Sequence, residues 1–428
     1  MSGQSEGGHG SDEAAATRRG PLDGIRVLDL SRVLAGPFCS MILADLGAEV
    51  IKIEDIDGGD QTRTVPPFRN GESHYFVAIN RNKKSVALDT RTAEGRELAL
   101  SLAANCDVVL ENFRPGVIDR LGLSYATLKS RNPGLILCSI SGFGATGSMR
   151  DKPSFDLVTQ GLSGVMSING FEDAPPTKLG LPMGDIAGGL WAAIAVLAAV
   201  NDRHATGEGS HIDLSLLEGL MGLLGYLAQM YTFTGENPGR MGNSHHNIVP
   251  YGVMPTKDGH IVLALHVGAF WRKFCEAIER TDLLDDPRFR GMKDRFENRE
   301  AIEAIIADIT RQRTTAEWQT ILDAGDVPSG PVNDIGQALS QPIVEERGFV
   351  KSVLHPVAGM LKVLASPLRF PGRYPDLPLA PSPLLGADTE AVLRELCGID
   401  AEDIAKLIAA GVVACAPASK ATAAGHAA

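Results

Sequence analysis

The segment Leu181–Leu190 (LPMGDIAGGL) carries the arrangement most able to do chemistry. Asp185 stands just ahead of a long apolar run. In that place Asp is a natural helix N-cap, its carboxylate accepting backbone N–H groups. Gly188 and Gly189 argue for more. They fall within the first turn and a half, where each costs up to ~1 kcal/mol relative to Ala. Their missing side chains would let a ligand or another backbone approach closely. The helix dipole would keep Asp185 ionised. An ionised, fixed carboxylate is what covalent catalysis on an acyl group requires.

Other chemistries lack their residues. The turn after the first strand candidate reads S-R-V-L-A-G-P, not G-x-G-x-x-G, so a dinucleotide pyrophosphate has no standard cradle. Neither G-x-x-x-x-G-K-[ST] nor G-x-S-x-G occurs. His245 and His246 are adjacent and lack metal-ligand spacing; a polar loop and a substrate pocket both fit them. The 6 cysteines form no C-x-x-C pair, which excludes a disulfide scaffold, a zinc ribbon and a thioredoxin-type pair. A formal charge of −12 and a pI near 5.4 argue against a nucleic-acid partner. They still allow a local basic pocket for a small polyanion.

The elements that must hold Asp185 follow from the rest of the pattern. At 428 residues the chain has room for two or three domains. Hydrophobic residues make up 44% and charged residues 21%, ordinary for a globular protein. Residues 1–19 and the end from Ala414 are Gly, Ser, Ala and charge, and are expected to be disordered tails. Strand candidates are Ile25–Leu30, Glu49–Glu54, Ser85–Asp89, Asp107–Glu111 and Leu135–Ile140. Helical segments such as Pro37–Leu46 and Thr92–Asn105 lie between them. This alternation predicts an α/β fold with a largely parallel sheet covered on both faces, Rossmann-like in outline. Asp185–Val200 reads as one helix, His211–Leu216 as a strand and Leu217–Thr232 as a second helix. The run Ile186–Val200 falls short of the ~20 apolar residues of a membrane span and reads as a core helix. With no apolar leader at the N-terminus, a cytoplasmic protein is expected. A smaller domain follows: a strand pair around IVPYGVMPTKDGHIVLAL, then helices near Phe270–Arg280 and Arg299–Arg311. From about Pro331 a Pro-rich stretch suggests a return over the first domain. It ends in helices near Thr389–Leu396 and Glu402–Ala410.

Several longer stretches resemble one family. PLDGIRVLDLSRVLAGP, DLGAEVIKIE, GGDQTR, NRNKKSVALD, ENFRPGVIDRLG, SGFGATG, the GD-x-x-x-G around Asp185 and PSPLLGADT occur in order. Together they are similar to the class III coenzyme A transferases, the CaiB/BaiF family of formyl-CoA and carnitine CoA-transferases. NRNKKS, HHNIVPY and VPSGPVND are most like its succinyl-CoA-dependent dicarboxylate branch, of the succinate–hydroxymethylglutarate type. The resemblance implies a large Rossmann-like domain built from both chain ends, here residues 20–225 and 331–413. A smaller α+β domain takes residues 226–330, and two subunits interlock as a homodimer. It also implies a CoA-transferase using acyl-CoA as a substrate and needing no metal or prosthetic group, with succinyl-CoA as donor and a dicarboxylate or hydroxyacid as acceptor. Asp185 would be the nucleophile, passing through a mixed anhydride and an aspartyl-CoA thioester. Implied CoA contacts are Leu34, Ala35, Leu88, Arg91, Asn112, Phe113, Arg114, Arg120, Phe155 and Asp156.

Departures from the family pattern sharpen the expectation. Asp55 follows Glu54 where some relatives place a CoA-binding Arg. Leu34 stands where formyl-CoA transferase has Gln, which argues against an oxalate or formyl substrate. NSHHNIVPYG replaces that enzyme's glycine-rich lid. Arg32, Arg240, His245 and His246 are candidates to read a distal carboxylate, Arg because its fork suits one. An α-methylacyl-CoA racemase of the same fold is the rival. It needs two proton carriers at the α-carbon, and its relatives carry His where this chain has Phe155.

Overall fold

A computed structural model describes residues 20–416. The expected tails at 1–19 and 417–428 lie outside the described residues. The chain divides into two units. One takes the residues up to Ser163, then Gly180–Leu223, then everything from Glu346; the other takes Gly164–Leu179 and Leu224–Glu345. The second unit thus includes a segment ahead of Asp185, and the return comes later than Pro331.

The first unit is built on a seven-stranded sheet. Its order is Val413–Ala414, Lys83–Leu88, Glu49–Glu54, Arg26–Asp29, Val108–Glu111, Ile136–Ser141, His211–Ser215. All neighbours pair parallel except Val413–Ala414, which runs antiparallel to Leu88 and Ala87. Ala414 therefore belongs to the sheet and not to a tail. The strands read as near-continuous apolar runs because both faces are covered. Successive side chains alternate between faces. Leu28, Ile51, Val86 and Val109 pack under Leu102, Leu393 and Ile404 on one face. Val27, Val50, Leu110 and Ile136 pack under Leu43, Ala192, Ala193 and Val196 on the other.

That second face is covered by the helices Ala35–Asp45 and Met183–Thr206. The latter is apolar and long enough, by length and composition, to cross a membrane. Here its Ala192, Ala193, Val196 and Val200 lie in the sheet core. The motif PSPLLGADT closes the opposite edge. Asp388 Oδ2 accepts the Ser85 N–H at 2.8 Å and Thr389 Oγ1 the Ala87 N–H at 3.0 Å.

The second unit is α+β. Ser329–Pro331, His260–Ala264 and Tyr251–Pro255 form an antiparallel sheet. The helices Gly268–Ala277, Arg299–Thr310 and Thr315–Ala324 enclose Trp271, Phe274, Phe289 and Trp318 with it. The helix expected over Leu217–Thr232 is two, Leu216–Gly222 and Tyr226–Thr234. Gly225 between them has φ 55°, outside helical space.

Candidate active site

Strand order reverses between Arg26–Asp29 and Val108–Glu111, since one neighbour series runs back to Lys83 and the other on to His211. In open parallel sheets a crevice opens at this point, outside the carboxyl ends of the strands. The turns leaving these two strands form its walls. Asn112 ties them together: its Oδ1 accepts the Arg32 N–H at 2.8 Å and its Nδ2 donates to the Arg32 carbonyl at 2.7 Å. The Arg32 guanidinium lies 5.5 Å from the Phe113 ring centre. A cavity of about 180 Å³ results, walled by Arg32, Leu34, Ala35, Asn112, Phe113, Arg114, Arg150, Lys152, Phe155 and Asp185 among others. Four cations and one carboxylate converge there. A larger cleft of about 560 Å³ lies beside Glu94, Glu97 and Asp403. Its wall is acidic and would repel phosphates.

Asp185 reaches the crevice through close packing. A side chain on Gly189 would put Cβ 2.7 Å from the Ala35 carbonyl oxygen. Asp185 lies one turn earlier on the same helix face. The glycines thus admit protein: Gly189 the Ala35 backbone, Gly188 the Leu216 side chain.

Asp185 is not the N-cap. That position belongs to Pro182, and Asp185 sits in the first turn of Met183–Thr206. Asp156 supplies the acceptor instead. Its Oδ1 takes the Gly184 N–H at 2.7 Å and the Asp185 N–H at 3.3 Å, while Oδ2 takes Gln160 Nε2 at 2.7 Å. Gly184 permits this approach, because a Cβ there would lie 2.5 Å from Thr159 Oγ1. The Asp185 carboxylate is left without the caps expected of it. Burial, then the nearby Asp156 charge, push its pKa up to about 7. The helix dipole, worth at most ~2 kcal/mol, does not offset this desolvation, so the carboxyl stands well above the ordinary carboxylate range.

Tyr75 shares this field. Burial and the charges of Asp185, Asp60 and Asp156 push its phenol up to about 12, so it stays a neutral hydroxyl. Glu111, at the end of its strand, is pushed up to about 7 chiefly by burial.

Of the residues expected to touch CoA, Leu34, Ala35, Asn112, Phe113, Arg114 and Phe155 line the crevice with Asp185. Phe155 is 76% exposed at its edge. Asp156 stands behind Asp185 as its cap. Leu88 is buried in the core. Arg91 is exposed and bound to Asp89 at 2.7 Å and Asp57 at 3.1 Å, with Asp55 at 3.7 Å. Arg120 is exposed on the short helix Val117–Arg120. Of the four candidate carboxylate readers, Arg32 is on the crevice wall. The other three belong to the second unit and are engaged inside it. Arg240 donates to the carbonyls of Phe171, Glu172 and Ala174 at 3.0, 2.8 and 2.7 Å. His245 Nδ1 accepts from the Asn247 and Ile248 N–H groups, and its Nε2 meets the Tyr226 hydroxyl at 3.2 Å. His246 Nε2 meets the Gly239 carbonyl at 2.9 Å. Sequence reasoning missed Arg150, Lys152, Tyr75 and Asp60. The cations of MRDKPSF, just after SGFGATG, were the available signal for the first two.

The family model for CoA-transferase family III matches residues 22–389. The chain is 38% identical over 394 residues to succinyl-CoA:glutarate CoA-transferase of Mus musculus, covering 92% of this chain and 90% of that one. It is 40% identical over 388 residues to succinyl-CoA:mesaconate CoA-transferase of Haloarcula hispanica, covering 88% and 96%. A crystal structure of a CAIB/BAIF family protein from Brucella suis matches with a TM-score of 0.80 at 38% identity, covering 89% of this chain and 100% of that one.

Proposed function

The chain belongs to CoA-transferase family III, and from that membership we propose that it moves CoA from succinyl-CoA to a dicarboxylate through covalent chemistry on Asp185. The observation that carries this reading is Asp185 itself: among the described residues, the one carboxylate on the wall of a crevice bearing Arg32, Arg114, Arg150 and Lys152. Cations there suit the phosphates of CoA and the free carboxylate of the acyl group. Burial makes the Asp185 carboxylate more basic than a solvated one, and hence a stronger nucleophile once ionised.

The steps balance without any further reagent. A carboxylate oxygen of Asp185 attacks the thioester carbonyl of succinyl-CoA. The C–S bond breaks and CoA leaves as the thiolate, giving a mixed anhydride. The thiolate then attacks the aspartyl carbonyl, the anhydride C–O bond breaks, and succinate leaves. An aspartyl-CoA thioester remains. The acceptor carboxylate attacks it, and the same two steps run in reverse. Acceptor-CoA departs and Asp185 is regenerated. Dividing one exchange between two activated intermediates is nucleophilic catalysis. Each attack develops an oxyanion. The first N–H groups of the helix Ala35–Asp45, which has no side-chain cap, are suited to stabilise it.

Leu34, Ala35, Asn112, Phe113, Arg114 and Phe155 are read as CoA contacts. Arg32, with no hydrogen-bond partner for its guanidinium among the described residues, is read as the group that binds the distal carboxylate. We extend the proposal to an interlocked homodimer. Exposed Leu190, Trp191 and Ile194 on the long helix fit a protein partner. All six cysteines are free, which fits the reducing cytoplasm.

Trapping tests the reading. The protein is incubated with succinyl-CoA, treated with hydroxylamine or borohydride, and mapped by mass spectrometry. Modification at Asp185 that is lost in Asp185→Ala is the expected result. Deuterium exchange at an acyl α-carbon without modification would favour the racemase.

A further inference from the structure

Beneath the crevice runs a buried ionic chain with no part in the transfer steps. Lys52 is fully buried, with Nζ 3.0 Å from Asp60 Oδ2 and 2.8 Å from the Ser31 carbonyl oxygen. Asp29, also fully buried, accepts from Lys83 at 3.2 Å and from Ser40 at 2.5 Å. Burial works against the Lys52 charge, but Asp29, Asp60 and Glu54 outweigh it and hold its pKa above the ordinary value. Stability explains such a chain poorly, since well-packed apolar residues often do as well as buried ions.

The chain ends on Val33. Its φ is 67°, in the left-handed region. A β-branched residue there is an outlier, because Cβ crowds the backbone. Asp60 accepts the Val33 N–H with both oxygens, at 3.2 and 3.3 Å. Asp60 is itself fixed. Its Oδ1 takes the Thr62 N–H at 2.9 Å and the Thr62 hydroxyl at 2.8 Å, and its own N–H goes to Glu54 Oε2 at 3.0 Å. Glu54 is gripped in turn by Arg63 through two bonds of 2.7 Å.

The whole turn is held in this way. The Ser31 N–H goes to Asp29, the Arg32 N–H to Asn112 and the Val33 N–H to Asp60. Three successive donors are thus claimed by side chains from three separate parts of the unit. Leu34 and Ala35 come next, and Ala35 packs on the helix that carries Asp185. Strain of this kind persists only where the surroundings over-determine it.

We propose that Asp60, fixed by Lys52, is a positioning residue for CoA transfer: it holds Val33 left-handed and so aims the Leu34–Ala35 backbone at the space before Asp185. This rests on the reading of Asp185 as nucleophile.

Rescue by glycine tests it. Glycine takes the left-handed conformation freely, so it removes the need for the Asp60 clamp. Asp60→Ala is expected to lower kcat about 10-fold. Adding Val33→Gly should recover most of that loss, measured against Val33→Gly alone. A stabilising role for the ionic chain predicts no such recovery, because the glycine restores no charge. Circular dichroism melts establish that each variant is folded, and Asp60→Asn, of the same shape, repeats the comparison. Unchanged kcat in folded Asp60→Ala, or a loss that glycine leaves in place, overturns the proposal. So does failure of both Asp60 variants to fold with and without Val33→Gly. Trapping of wild type at Asp185 in parallel separates the two readings: no adduct in wild type defeats the nucleophile, whereas an adduct without rescue defeats only the clamp.

Discussion

The Asp156 carboxylate accepts the backbone N–H of Asp185 at 3.3 Å, so one acid caps the helix that presents the other. The capping bond fixes the Asp185 backbone and frees its side chain for the crevice. Burial raises the Asp185 pKa, and the second negative charge placed nearby adds to it.

A pH profile follows from this pair. For free enzyme, kcat/KM with the donor should rise with pH along a limb centred near pH 7, as Asp185 loses its proton. Asp156→Asn removes the like charge and keeps an acceptor for Gly184. The limb should then move to lower pH. A limb near pH 4 in wild type, or no movement in the variant, would remove this account of Asp185.

Much of the frame was legible in the sequence. Apolar strand runs between helical segments predict the parallel sheet because periodicity and length carry that information locally. Asp185 stood out through Gly188 and Gly189, whose cost in a helix has to be offset by something. Its ionisation was not legible, because it is set by burial and by the charge of Asp156, a neighbour in space supplied by another helix. The edge strand Val413–Ala414 was hidden for a similar reason: two residues have no pattern of their own, and they pair only because Leu88 and Ala87 are there. The Asp60–Val33 clamp leaves no local signal either, since a positive φ on Val contradicts its propensity.

Stability should show the cost of Asp185. Its folded pKa lies above the unfolded value, so the native state binds more protons. Stability then falls as pH rises from about 4 to about 7, and the penalty is complete above that. Asp185→Asn keeps the shape and removes the charge. It should stabilise the protein by on the order of 2–4 kcal/mol at pH 8 and by almost nothing at pH 4. Thermal melts at the two pH values check this. An equal effect at both would mean that the carboxylate is not penalised by burial.

Two arginines should behave differently. Arg32→Ala is expected to raise the KM for a dicarboxylate acceptor at least about 10-fold, the scale of a lost charge-assisted bond, with Arg32→Lys between. Arg240→Ala should leave that KM alone and lower the stability of its own unit, because it ties Phe171, Glu172 and Ala174 to the loop after the helix Tyr226–Thr234. Steady-state kinetics with glutarate and a melt of each variant decide it. A large KM effect at Arg240 with none at Arg32 would reverse the assignment.

Two adjacent glycines give the sharpest contrast. A Cβ at Gly188 would lie 2.2 Å from Leu216 Cδ2, the end of a flexible side chain. Rotation of Leu216 can relieve that contact, and Ala gains up to ~1 kcal/mol in helix propensity. A Cβ at Gly189 would lie 2.7 Å from the Ala35 carbonyl oxygen and 3.0 Å from Phe38 Cδ1. Backbone cannot rotate away, so the helix must move off the turn, and Asp185 moves with it. Overpacking of this kind costs about 1–3 kcal/mol, and a shift near 1 Å at a reacting group can cost ~100-fold in rate. Gly189→Ala should therefore lose both stability and most of its kcat, whereas Gly188→Ala should stay within about threefold of wild type. Comparable activity in the two variants would show that the contact between this helix and the Ala35 turn does not set the position of Asp185.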